Sequence, residues 1–378
     1  MAGPYCAMLL ADMGARVIKV EPPAGDSTRG MAGAKGNDSA AFNAVNRGKH
    51  GIVLDLTHEQ GRAVFARLAR TSDIVVENYR PGVMEKFGLD YASLRHDNAR
   101  LIYASISGHG QTGPWSTKGG FDLIAQGLSG LMSVTGNAGG DPVKIGVPIT
   151  DLGAALFAAI GILGALYRRS ITGEGQHVDT SLVDAGIALS VWEAAVYFST
   201  GRVPAPLGTA HRLSAPYQAF RCADGHITIG AANDRNFVKV ARVLGHHEWI
   251  GDHRFATNTE RIANRDTLAQ LIEAETIRQP VVSWIAEFER AGVPCGPILD
   301  YERALQTPQA IAREMTVDVD HPTLGTLRTL GTPIKMSASP LESRRRAPLL
   351  GEHTDDVLAD AGYSSNEIEQ LRSSGAVS

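Results

Sequence analysis

Cysteine is scarce. The 378-residue chain has three, Cys6, Cys222 and Cys295, far apart and in no CxxC pair. That excludes a disulfide framework and a structural zinc site, and it predicts three buried small side chains in a reduced, cytoplasmic compartment. A charge excess is missing too: 36 Lys and Arg stand against 40 Asp and Glu. No broad basic field exists to hold nucleic acid, although a local basic patch could hold a phosphorylated small molecule. The twelve histidines show no paired metal spacing, so no metal is expected. A GxSxG nucleophile elbow is absent, since "GLSG" (127–130) has the wrong spacing, and this argues against a serine hydrolase. No uncharged run reaches the roughly 20 residues of a bilayer span. The run Leu152 to Tyr167 is rich in Ala and Gly and predicts a helix packed tightly between other elements, with no membrane role. The opening "MAGPYCAMLLADMG" lacks a basic n-region, so no secretory signal is expected and the "NDS" sequon at Asn37 has no consequence.

What is present is alternation. "ARVIKVE" (15–21), "GIVLDL" (51–56), "DIVVENY" (73–79), "LIYASISG" (101–108) and "QHVDTSL" (176–182) read as strands. Helical patterns fall at 5–14, 59–71 and 183–197. Such alternation implies an α/β fold with a mostly parallel, covered sheet. After about residue 200 the character changes. A Pro/Gly-rich linker (201–221) leads to a small α+β domain (222–325), opening with a hairpin over 217–231 whose turn is Asp224-Gly225. The large domain then covers 1–200, with 326–378 returning to it as a helical tail. A doubly wound unit normally opens with a strand, yet this chain begins almost at its first helix.

Several segments carry polar chemistry. "GHGQTG" (108–113) matches GxGxxG after a strand, but Pro114-Trp115 follows where a helix should open, so it reads as a Gly-rich loop rather than a dinucleotide site. "ENYRPG" (77–82) ends a strand with an amide, an aromatic, an Arg and a rigid turn, suited either to clasping a base or phosphate or to a plain turn. "NRGKHG" (46–51) offers Arg47 and Lys49 as phosphate contacts or as a solvated loop. "VPITDLGAALFAAIGILGAL" (147–166) places one carboxylate, Asp151, at the head of an uncharged run. An aspartate there can cap the helix; it can also attack an activated acyl group, with the helix N-terminus favouring its ionised form.

Taken together, the segments resemble the class III coenzyme A transferase family (CaiB/BaiF type), which includes formyl-CoA transferases and acyl-CoA racemases. The likeness runs through "LLADMGARVIKVEPPAGDSTRG" (9–30), "FNAVNRGKHGIVLDL" (42–56), "VENYRPGVMEKFGL" (76–89), "GFDLIAQGLSGLMSVTG" (120–136), "DLGAALFAAIGILGAL" (151–166), "TGEGQHVDTSL" (172–182), "GVPCGPI" (292–298) and "APLLGEHTDDVL" (347–358). The resemblance implies a Rossmann-like large domain, a small domain and two interlocked chains. It puts the family's catalytic aspartate on Asp151, and acyl-CoA and carboxylic acids as substrates, with no resident cofactor. The family's CoA contacts fall on Leu54, Asp55, Leu56 and Thr57, on Asn78, Tyr79 and Arg80, on Lys86, and on Gly119, Gly120, Phe121 and Asp122. Lys86 stands where relatives often carry Arg, which keeps a cation but loses the fork, and Pro22 replaces an Arg after the "IKVE" Glu.

The racemase branch reads "GHD" where this chain reads "GFD". Phe121 cannot carry a proton, which favours transfer over racemisation. "GTAHRLSAPYQAF" (208–220) and "DGHITIGAANDRNF" (224–237) resemble the subgroup that moves CoA between dicarboxylates, with His211, Arg212 and Asn233 as candidates for a distal carboxylate; no oxalate-type Gly-rich loop is evident. Relatives carry a strand and a loop before "AGPYC", so a start upstream of Met1 is expected, with weaker CoA binding without it. The competing readings are a racemase or epimerase, a CoA-binding protein without turnover and, remotely, a nicotinamide oxidoreductase.

Overall fold

The computed structural model describes residues 1–31, 38–341 and 344–378; the Asn37 sequon lies outside them. The chain divides into two compact units: residues 1–132, 144–199 and 308–378, and residues 133–143 with 200–307.

The first unit opens on helix α1 (Ala2–Asp12), closed by Gly14 at φ 97°, which a residue with Cβ adopts at a cost. Then follow β1 (Val17–Glu21), α2 (Ala40–Asn46), β2 (Lys49–Val53), α3 (Glu59–Thr71), β3 (Ile74–Glu77), α4 (Val83–Phe87), α5 (Tyr91–Asp97) and β4 (Ile102–Ser107). Next come α6 (Asp122–Leu128), α7 (Leu131–Val134), α8 (Ile149–Thr172), β5 (His177–Ser181), α9 (Leu182–Leu189) and α10 (Val191–Thr200). The strands are parallel, as their spacing predicts, but they form two hydrogen-bonded groups rather than one sheet: β1–β2 and β3–β4–β5. Central β4 alternates strictly. Ile102, Ala104 and Ile106 meet α1 and α8, while Leu101 and Tyr103 join the cluster under α3–α5.

Small side chains set the spacing between α8 and its neighbours. Ala154, Ala155, Ala158, Ile162 and Ala165 form its buried stripe, and an added Cβ at Gly161 would lie 2.8 Å from Val178. The helix differs from its expectation in two ways. It spans 24 residues, long and apolar enough by composition to cross a membrane, with 44% of its apolar window buried. It is also not enclosed, because its outward face exposes Leu156, Phe157, Ile160, Leu163, Tyr167 and Ile171. The single helix expected at 183–197 is broken and bent by 68° at Ser190, whose hydroxyl donates to the Ile187 carbonyl and competes with helical pairing.

The second unit holds the expected hairpin, β6 (Tyr217–Arg221) and β7 (His226–Gly230), then α11 (Asp234–Val243), α12 (Asn258–Ala263), α13 (Arg265–Thr276), α14 (Val281–Arg290), β8 (Cys295–Pro297) and α15 (Tyr301–Leu305). Its core gathers Phe220, Ile227, Phe237, Phe255, Trp284 and Phe288. Fully buried Arg261 donates to the Ala215 and Phe255 carbonyls and pairs with Asp234.

The chain then rejoins the first unit with α16 (Pro308–Ala312), β9 (Thr316–His321), β10 (Gly325–Leu330), α17 (Thr354–Asp360) and α18 (Ser365–Ser373). Residues 308–325, assigned to the small domain by the sequence reading, group here because the β9–β10 hairpin is tied back: Thr323 donates to Asp38, and Arg47 to the Leu330 carbonyl. Val357, Leu358, Ile368 and Leu371 pack on Ile52, Leu54 and Val64. Cys6 and Cys222 are buried but Cys295 is only half-buried; burial pushes the Cys6 thiol up to about 12.

Candidate active site

Asp151 is not the cap of its helix. The N-cap of α8 is Pro148, which offers no side-chain acceptor, and Asp151 is the third helical residue. The cap comes from another element. At the head of α6, Asp122 Oδ1 accepts from the Thr150 N–H at 3.0 Å and from Thr150 Oγ1 at 2.7 Å. Its Oδ2 accepts from Gln126 Nε2 at 2.7 Å, and Gln126 Oε1 accepts from the Ile145 N–H at 2.8 Å. The Asp151 carboxylate, half-buried, has no hydrogen bond to another described residue. Burial raises its pKa, the Met1 ammonium lowers it, and Asp122 adds a smaller upward push, with a net rise.

Two predicted binding segments, 78–80 and 119–122, meet at the carboxyl ends of β3 and β4, where open α/β sheets place ligands. Asn78 Oδ1 accepts from the Gly3 N–H at 3.1 Å, and its Nδ2 donates to the Ile106 carbonyl at 2.7 Å. Arg80 lies across Gly119: a Cβ there would sit 2.6 Å from Nη2. Gly108 and Gly120 stack backbone on backbone, a Cβ on Gly120 falling 2.6 Å from the Gly108 Cα. Tyr79 is 46% and Phe121 76% exposed, so both rings are available to a ligand. Lys86 projects from α4 with no acceptor among the described residues. The fourth segment follows β2: Leu54 is buried, Asp55 accepts from the Thr57 N–H and hydroxyl, and Leu56 packs against the cluster holding Met84 of α4.

The family model of CoA-transferase family III matches residues 1–354. The chain belongs to CoA-transferase family III. It is 40% identical over 368 residues to the succinate–glutarate CoA-transferase of Agrobacterium fabrum, covering 95% of this chain and 92% of that protein. It is 40% identical over 354 residues to the acetyl-CoA:oxalate CoA-transferase of Acetobacter aceti, covering 93% and 90%. A solved CaiB/BaiF family protein from Brucella suis superposes with a TM-score of 0.84 at 39% identity, covering 96% of each chain. This chain is therefore a CoA-transferase, with acyl-CoA and carboxylates as its substrate classes.

Other expectations change in this CoA-transferase. Arg47 and Lys49 are neither solvated nor free for phosphate. Arg47 clasps Asp12 through two nitrogens at 2.9 and 2.5 Å, and buried Lys49 donates to the Pro4 and Val45 carbonyls and Asn46 Oδ1. The "GHGQTG" stretch is a loop, as expected, with Gly110 and Gly113 both at φ 87°. In the second unit Arg212 donates to the Ala205 carbonyl at 2.7 Å, while Asn233 caps α11 through the Asn236 N–H at 2.9 Å. His211 lies 5.0 Å from the Tyr217 ring. Sequence reasoning missed Arg265, whose Nη2 donates to the Arg212 carbonyl at 3.1 Å. It also missed the roles of Asp122 and Gln126, although their i,i+4 spacing at a helix start is a legible signal.

Proposed function

We propose that this CoA-transferase moves CoA from an acyl-CoA, with succinyl-CoA the first donor to try, to a dicarboxylic acid through covalent intermediates on Asp151. The observation that carries this reading is the Asp151 carboxylate, left without a hydrogen bond at the head of α8 while a neighbouring carboxylate does the capping. A carboxylate oxygen of Asp151 attacks the thioester carbon and expels the CoA thiolate, leaving a mixed anhydride. The thiolate attacks the aspartyl carbonyl, releasing the donor acid and leaving an aspartyl–CoA thioester. The acceptor carboxylate displaces the thiolate into a second anhydride. Attack of the thiolate on the acceptor carbonyl then yields the new acyl-CoA and restores Asp151. Nearby helix N–H groups favour the anionic oxygen that develops at each addition. CoA is held by residues 54–57, 78–80 and 119–121 and by Lys86, the Asp122 carboxylate being engaged by Thr150 and Gln126 instead. Exposed Phe121 supplies no second base for racemisation.

The dicarboxylate reading is supported by relatives whose names give glutarate and oxalate as substrates, and by the Arg212–Arg265 neighbourhood, where two guanidinium groups lie close. Arg212→Ala should raise the KM for a dicarboxylate acceptor about tenfold or more, as loss of one charged hydrogen bond implies, with kcat little changed; equal KM values for both proteins would remove Arg212 from the site.

A homodimer belongs to the same proposal. Leu156, Ile160, Leu163, Tyr167 and Ile171 recur at helical spacing, and exposed Trp192 and Phe198 add to the apolar surface of α10. Light scattering on a sizing column should give twice the 40.2 kDa chain mass. Ile160→Glu should shift the protein toward the monomer, and a wild-type monomer would overturn the assembly.

The covalent reading is tested by intact mass after incubation with succinyl-CoA and hydroxylamine, followed by peptide mapping. A hydroxamate on Asp151 is the expected product. An unmodified protein that nonetheless transfers CoA would show transfer without an aspartyl intermediate.

A further inference from the structure

The approach to α8 is held from outside the helix. Residues 145–150 reach it through Pro148, and two side chains of α6 fasten both ends of that approach. Gln126, fully buried, takes the Ile145 N–H; Asp122 takes the Thr150 N–H and hydroxyl; and the two side chains bond each other at 2.7 Å. Thr150 is fully buried and immediately precedes Asp151. The Asp122 carboxylate, within the segment expected to contact CoA, spends its oxygens on donors inside the protein.

We infer that Asp122 and Gln126 are positioning residues for the Asp151 nucleophile, clamping residues 145–150 so that the Asp151 carboxylate is presented without a hydrogen bond and beside a fixed negative charge. The inference rests on Asp151 being the nucleophile. The negative charge has a chemical consequence. The ionised form of Asp151 that attacks is repelled by Asp122; anhydride and thioester are neutral and are not. Asp122 therefore favours acylation over the resting carboxylate. Fixed geometry matters as much, because a displacement of about 1 Å at a reacting group can cost on the order of 100-fold in rate. The charged groups acting on Asp151 are Asp122 on α6 and the Met1 ammonium at the head of α1; on α9, Asp184 lies beside Gly110.

The test compares wild type with Asp122→Asn, following succinyl-CoA-dependent hydroxamate formation and transfer across pH. Asp122→Asn keeps an acceptor for Thr150 and removes the charge. Its turnover should fall on the order of 10- to 100-fold while the donor KM stays within a factor of two. The acid limb of its profile should move to lower pH, because loss of a like charge lets Asp151 ionise more readily. An unmoved acid limb with wild-type turnover would overturn the clamp while leaving Asp151 as nucleophile. A change confined to the donor KM would make Asp122 a CoA contact and also overturn it. Absence of any wild-type hydroxamate removes the nucleophile and the clamp together. Should Asp122→Asn fail to fold, Thr150→Val keeps the shape and the backbone donor and deletes only the hydroxyl. Reduced turnover at unchanged KM is then expected, and unchanged turnover counts against the clamp.

Discussion

Asp151→Asn is expected to abolish the hydroxamate adduct and to lower CoA transfer on the order of 10⁴-fold or more, the scale on which covalent enzymes lose activity without their nucleophile. Binding of CoA itself should survive, because the segments at 54–57, 78–80 and 119–122 do not depend on the Asp151 side chain. The variant should fold at least as well as wild type. For an acid whose pKa is raised by folding, the penalty is absent below the unfolded pKa and complete above the raised value. Burial, with Asp122 adding to it, raises Asp151 in this way. Asp151→Asn should therefore melt at or above the wild-type temperature at neutral pH, with the gain vanishing as the pH falls to the ordinary carboxylate range. Thermal scans at two pH values check this beside the activity assay. Loss of activity with a lower melting temperature at neutral pH would point to a structural role instead.

The legible parts of the fold were those written in local pattern. The strands at 17–21, 49–53, 74–77, 102–107 and 177–181 and the helix at 59–71 come from apolar periodicity, and the hairpin at 217–230 from Asp224-Gly225 between strand-like runs. Long-range pairing is not written locally. "NRGKHG" looks like a solvated basic loop because Asp12, the partner of Arg47, lies 35 residues away, and because the Pro4 carbonyl that accepts from Lys49 lies 45 residues away. Break points inside helices are equally hidden: "DAGIALSVWEAAVYF" is apolar enough to continue, yet it breaks where the Ser190 hydroxyl turns back on the Ile187 carbonyl. At the site, Asp151 is legible as a candidate, but from the residues alone the cap reading is the stronger, and only the family resemblance turns the balance toward catalysis. The cap reading alone is removed by Asp122, 28 residues upstream of Thr150, which supplies the cap bond that a lone aspartate would otherwise be expected to make.

The second large effect is expected at Gly120. A Cβ there would sit 2.6 Å from the Gly108 Cα, and one on Gly108 would sit 2.7 Å from the Gly120 Cα. Neither backbone can withdraw cheaply. Gly108 immediately follows β4, the central strand of its group, and its carbonyl accepts the Val183 N–H at 3.2 Å. Gly120 leads within two residues to Asp122, whose carboxylate holds Thr150. Gly120→Ala must therefore push the 119–122 segment away from β4 and carry the clamp with it. Overpacking of this kind costs about 1–3 kcal/mol of stability. The larger loss is kinetic: kcat/KM should fall on the order of 100-fold, with the donor KM rising as well because Phe121 and Gly119 move with Gly120. Gly119→Ala is the control. Its Cβ meets only the end of the Arg80 side chain, which can swing aside, so turnover should hold and only the donor KM should rise, by a few-fold. If the two alanine variants behave alike, backbone contact between Gly108 and Gly120 is not what sets the position of Asp151. If they differ as expected, the distance from a loop glycine to a strand glycine governs the geometry of a carboxylate on a third element.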